Sequence, residues 1–268
     1  MNKFTSALLA VTALSATVAM ADAPVASATG FYLGANAGAA NTNVKYSYSN
    51  NNTLATVGAS SATTIASGKQ QNYKGDTGSS APLFGAFAGY GMQVNKMYFG
   101  GELYAGFDSS KSTPMDDSAT GSGGGYFKAT VQRKNFFGFA PRAGFFITPT
   151  TMAYVRLGVE FGKWEVKVDP NFATIDASAT VTSNQKAASR KQFKNSKNKA
   201  SFAPGFGFEV FMTKNLFMRA EYSYLFGPSI DVNQNIDGYN SDVFAGTTLT
   251  HKAKITQHAL KVGVGYKF

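Results

Sequence analysis

Eight charged side chains stand inside stretches that are otherwise apolar: Glu102, Arg142, Arg156, Glu160, Glu209, Arg219, Glu221 and Lys261. Four carboxylates among four bases are material for two kinds of chemistry. A carboxylate pair can act as general acid and base when one partner is held protonated and the other ionised. Opposite charges withdrawn from water together form instead a hydrogen-bonded ion network, because a lone buried charge costs far more than a paired one. The surrounding pattern favours the network. Met97, Phe99, Leu103 and Phe107 alternate with Tyr98, Glu102 and Tyr104, and Phe137, Phe139 and Phe145 oppose Arg142. Val155, Leu157, Val159 and Phe161 oppose Tyr154, Arg156 and Glu160, while Phe206, Phe208 and Val210 oppose Glu209. Leu216, Met218 and Tyr222 oppose Arg219 and Glu221, and Leu260, Val262 and Val264 oppose Lys261. A period of two is a strand with one apolar and one polar face. All eight charges fall on the polar face.

Other chemistry-bearing residues are few. The only histidines are His251 and His258. His258 shares the parity of Leu260 and faces outward, where an imidazole serves as an interfacial side chain. No His-x-Ser pairing lies between the two, and no HExxH or G-x-S-x-G motif occurs. The Gly121–Gly125 stretch lacks the Lys-Ser/Thr of a phosphate loop. The chain has no cysteine, which removes thiolate metal sites and disulfides alike. We therefore expect no enzyme, no cofactor and no metal. Lys186, Arg190, Lys191, Lys194, Lys197 and Lys199 put six positive charges in fourteen residues, with no acid among them. Such a run draws polyanions through a long-range, salt-screened field. Phe193 is its only aromatic, too little stacking surface for nucleic acid.

These residues need strands to position them. Period two picks out eight segments: 31–39, 83–93, 97–107, 126–148 (clearest at 136–147), 152–167, 201–212, 216–226 and 250–268. Most approach the ~9–11 residues of a tilted membrane-crossing strand. Val94-Asn95-Lys96, Thr148-Pro149-Thr150-Thr151 and Thr213-Lys214-Asn215 are short polar links that suit hairpins. The connections at 40–82, 108–125, 168–200 and 227–249 are long, polar and read as loops. The closing segment is the most telling, with Leu260, Val262, Val264, Tyr266 and Phe268 in one apolar row. The expected fold is all-β, an eight-stranded antiparallel up-and-down transmembrane β-barrel with short periplasmic turns and long extracellular loops. A barrel of that size has an interior just wide enough for side chains to fill. The eight charges then plug the lumen.

At the N-terminus, Lys3, an uncharged run over 4–18 and Ala19-Met20-Ala21 follow the order of a signal peptide, with cleavage before Asp22. The expected organisation is a signal peptide over 1–21, a periplasmic segment over 22–30 and the barrel over 31–268. The Gly-Tyr-Gly-Met-Gln-Val…Tyr-Phe-Gly-Gly-Glu-Leu-Tyr passage at 89–104, together with 262–268, resembles small bacterial outer-membrane barrels. These are the OmpA-type transmembrane domain and opacity-like surface antigens. The resemblance implies a porin-like location in the cell outer membrane and reading of Tyr266 and Phe268 by the barrel assembly machinery. Outer-membrane lipid and lipopolysaccharide are then the nearest partners, with host surface molecules beyond. Two roles follow as expectations. One is a filled barrel with a structural role and loop-mediated adhesion; the other is a narrow channel for small solutes or ions.

Overall fold

The computed structural model describes residues 27–50, 73–116, 126–171, 193–235 and 248–268. The expected signal peptide and most of the periplasmic segment lie outside those residues. Nine strands run in chain order: β1 (Gly30–Asn50), β2 (Tyr73–Val94), β3 (Met97–Asp108), β4 (Lys111–Asp116), β5 (Tyr126–Phe146), β6 (Thr151–Asn171), β7 (Phe193–Phe211), β8 (Leu216–Asn235) and β9 (Thr248–Lys267). Every pairing is antiparallel between neighbours in the chain, except that β3 pairs β5 and β1 pairs β9. The β1–β9 ladder closes the ring, running from Tyr32↔Lys267 to Asn50↔Leu249. β4 continues the place of β3 after a break at Ser109-Ser110, so eight strands form the barrel and one of them is split.

The three short links are tight turns. Asn95 adopts φ 55° between the paired residues Val94 and Met97, a left-handed conformation that Asn tolerates better than most side chains. The other two add a threonine side chain to their backbone hydrogen bonds. Thr148 Oγ1 accepts from the Thr151 N–H at 3.0 Å, and Thr213 Oγ1 from the Leu216 N–H at 2.9 Å.

The outward face forms an exposed apolar band. Phe31, Leu103, Phe137 and Phe268 are each more than 60% exposed, a surface that lipid accepts and water does not. Cross-strand pairs of phenylalanines mark its upper edge: Phe84–Phe107, Phe137–Phe161 and Phe202–Phe226. Phe31–Tyr90 and Tyr266–Phe268 mark the lower.

Strands extend well past the band, which corrects the expected loops. Stretches read as loop in 40–50, 73–82, 111–116, 168–171, 193–200, 227–235 and 248–249 are strand. The ladder β2–β3 stops at Leu83↔Asp108 and β7–β8 stops at Phe202↔Phe226. Beyond those points the wall divides into two four-stranded sheets, β2-β1-β9-β8 and β4-β5-β6-β7. Between them lies a core of Val44, Tyr46, Val131, Trp164, Val166, Ile230 and Ile255. Here the apolar row points inward, whereas in the band it points outward. The pattern inverts because water, not lipid, surrounds the outer part.

Candidate functional site

Seven of the eight expected charges meet in one layer across the barrel. All eight are less than 10% exposed. Glu102, on β3, is the hub: its Oε2 accepts from Arg219 Nη1 at 2.8 Å, Arg219 Nη2 at 2.9 Å, Arg142 Nη1 at 3.2 Å and Tyr32 OH at 3.2 Å. The second arm of Arg142 reaches Glu209 Oε1 at 2.5 Å. Glu221 gathers Arg156 at 2.8 Å, Lys261 at 2.6 Å and the Tyr154 hydroxyl at 2.9 Å. The guanidinium faces also stack on rings, Arg142 on Tyr154 at 3.9 Å and Arg156 on Tyr104 at 4.1 Å. A cavity of about 10 Å³ beside Glu102, Arg156, Glu221 and Lys261 has room for one water.

Glycine on the inward face makes space for the rings that brace this layer. A Cβ on Gly265 would collide with the edge of the Phe217 ring, and one on Gly34 with that of Phe87. Below the charges, Phe146, Met152, Phe211 and Phe217 pack the periplasmic end.

Glu160 does not join its expected partners. It pairs one level higher with Arg133, which also reaches Asp108 Oδ2 at 3.2 Å and the Gln257 side chain at 2.5 Å. Neither Arg133 nor Asp108 was identifiable by parity. The β5–β6 register moves from Arg133↔Trp164 to Phe136↔Gly162, so one extra residue bulges and inverts the parity above it. Asp108 sits one residue past the expected end of its strand. Its Oδ1 accepts from the Ser110 N–H at 3.1 Å, which turns the chain between β3 and β4. With these two included, five inward-facing acids balance five inward-facing bases among the described residues.

The basic run divides. Lys194, Lys197 and Lys199 are exposed on β7, a correction to the expected loop, and Lys186, Arg190 and Lys191 lie outside the described residues. Lys194 is not isolated: its Nζ is 3.3 Å from Glu165, on β6. Lys134 and Lys167 approach the same carboxylate at 3.2 and 3.3 Å. Burial opposes ionisation of Glu165, but hydrogen bonds from Lys134, Lys194 and Lys167 prevail and hold the carboxyl down at about 2. Sequence distance concealed this cluster. His251 is buried in the outer core with its Nδ1 2.6 Å from the Tyr46 hydroxyl, and burial pulls the imidazole down to about 4. His258 faces outward and meets Tyr222 OH at 2.7 Å. Among the described residues, no group of three or more His, Cys, Asp or Glu is arranged to hold a metal ion. Tyr266 and Phe268 lie on the lipid-facing side, 47% and 67% exposed.

A family model described as outer membrane protein beta-barrel domain matches residues 6–268. No curated protein matches the chain in sequence. Among solved structures, OprG of Pseudomonas aeruginosa is similar at 16% identity and TM-score 0.53, covering 91% of this chain and 98% of its own. The attachment invasion locus protein Ail of Yersinia pestis aligns at 14% identity and TM-score 0.36, covering 90% and 99%. Neisserial surface protein A aligns at 14% and 0.37, covering 90% and 98%.

Proposed function

We propose a role that proceeds from what the chain is: it belongs to the outer membrane protein beta-barrel family, and it resides in the bacterial outer membrane. Within that membrane it acts as a closed scaffold that carries its outer segments to the surface, rather than as a channel or an enzyme. The observation that carries this reading is the filled lumen. An apolar floor, the Glu102 layer, the Arg133 layer and the outer two-sheet core follow one another along the axis. A void of about 10 Å³ at the level of the charges leaves no room for a hydrated ion. The carboxylates there are tied to guanidinium or ammonium groups, a poor arrangement for a general base.

The outer segments then make the contacts. Exposed Lys194, Lys197 and Lys199, with Lys186, Arg190 and Lys191, form a cationic surface for polyanions such as host surface glycans. Tyr266 and Phe268 present the aromatic signal for the barrel assembly machinery. Residues 1–21 act as the signal peptide for export. Purified protein in a planar bilayer should show no stepwise conductance. Reproducible single-channel steps would replace this reading with the narrow channel. Neutralising Lys186, Lys191 and Lys197 together should shorten retention on heparin at low salt; unchanged retention would remove the polyanion surface from the proposal.

A further inference from the structure

The lysines around Glu165 occupy one particular height and one side of the barrel. On β6, Phe161 is the last lipid-facing aromatic, and Lys163, Glu165 and Lys167 succeed it on the same outward face. Each row lies about 7 Å above the one before. On β5, the bulge that buries Arg133 turns Lys134 outward, beside Lys163 and directly above the stacked Phe137–Phe161 pair, whose centroids are 5.2 Å apart. Lys194 comes in from β7, opposite Lys167. Three ammonium groups stand within 3.3 Å of one carboxylate, with their side chains 34–51% exposed. Ser196 donates to the Oε2 that Lys134 and Lys194 approach.

Like charges repel, so three lysines do not converge without a reason. Glu165 holds them together but neutralises only one. Lys134, Lys163, Lys167 and Lys194 against Glu165 leave three positive charges on a small patch. One row higher, Lys128 stands opposite Asp169 and adds no further excess. The opposite wall is different. Its first rows above the apolar band hold Asn41, Asn43, Ser80, Thr256 and His258, and the lysines that follow are interleaved with acids, Lys45 opposite Asp76 and Lys252 opposite Asp231. Among the described residues, the convergence of several lysines on one carboxylate directly above the aromatic band is confined to the β5-β6-β7 side.

We infer that Lys134, Lys163, Lys167 and Lys194 form a binding site for the phosphorylated headgroup of an outer-leaflet glycolipid, whose acyl chains lie along Phe137 and Phe161. The site deepens the polyanion reading proposed above and rests on the same outer-membrane placement. An occupant at this depth must carry dense negative charge at the acyl boundary. A sugar phosphomonoester supplies it, with a charge of about −1.5 to −2 at neutral pH. The excess of the patch matches one or two such groups. Glu165 acts as the organiser: it fixes the lysine heads where a phosphate can meet several at once.

The full chain in zwitterionic detergent, titrated with bis-phosphorylated lipid A and with its dephosphorylated form, tests the site by native mass spectrometry. The phosphorylated lipid should be retained and the dephosphorylated one should not. K134Q/K163Q, at two exposed positions, should weaken lipid A binding by about fivefold per lysine while heparin retention stays as in the parent. K186Q/K191Q/K197Q should do the reverse, which separates failure of this site from failure of the polyanion surface. Equal binding of both lipid forms, or unchanged binding by K134Q/K163Q, would overturn the inference. Displacement of lipid A by an equal concentration of inorganic pyrophosphate would overturn it as well, by reassigning the patch to a soluble anion.

Discussion

Arg142 shows how much a single residue carries in this lumen. One guanidinium donates to Glu102, Glu209 and the Tyr32 hydroxyl and stacks on Tyr154. Removing it leaves Glu209 buried, with its nearest remaining base, Arg219, at 3.9 Å. Breaking a buried ion pair from one side costs about 3–5 kcal/mol. Arg142→Ala should accordingly melt well below the parent in detergent, and an unchanged melting temperature would dismiss the network as a source of stability. The eight charges were legible because each is a polar intruder in an apolar alternation. Arg133 and Asp108 were not, since a bulge reversed the parity of one and a strand boundary hid the other. Glu165 was hidden differently: its lysines come from three strands, so no local spacing announces them.

At the level of elements, the bulges decide which face a side chain takes. In β5, Phe137 and Phe139 face out and Phe136 and Ala140 face in; above Asn135, Val131 and Arg133 face in. A second bulge at Gly227-Pro228 does the same for β8, turning Ile230 and Val232 inward after Leu225. A one-residue slip moves a whole hydrophobic set to the other face. Deleting Lys134 and Asn135 together should therefore send Arg133 outward and Gln132 into the lumen. We expect little folded protein, read as loss of the fast-migrating, heat-sensitive band on an unheated gel. Folded yield equal to the parent would show that β5 can absorb the slip. Turns and band-crossing strands were readable from sequence because lipid imposes a strong alternation. The outer halves of the strands were read as loops, because segments such as Asn41–Asn50 mix Val and Tyr with many polar residues.

The whole molecule combines two constructions on one set of strands, a closed ring within the membrane and a two-sheet packing outside it. The outer part has two open seams and a buried neutral His251, so it should be the part that responds to acid. The folded imidazole titrates at about 4 against an ordinary 6.5. The unfolded chain thus binds the proton first, and stability that is full above pH 6.5 declines as pH falls toward about 4. Trp164, the sole tryptophan, is 1% exposed in that outer core and reports on it directly. Its emission should shift to the red across that interval while the far-ultraviolet β signal holds, and His251→Gln should flatten the response. Movement of both signals together would mean that the two parts unfold as one. The amino-acid sequence by itself determined the strand class, the membrane-facing rows, the short turns and the inward parity of eight charges. Each follows from alternation along a single strand. Only the tertiary structure decided which charges pair, where the lysines gather and where the apolar face changes sides. Those outcomes depend on register between strands and on the height at which lipid gives way to water, and neither is written in any one strand.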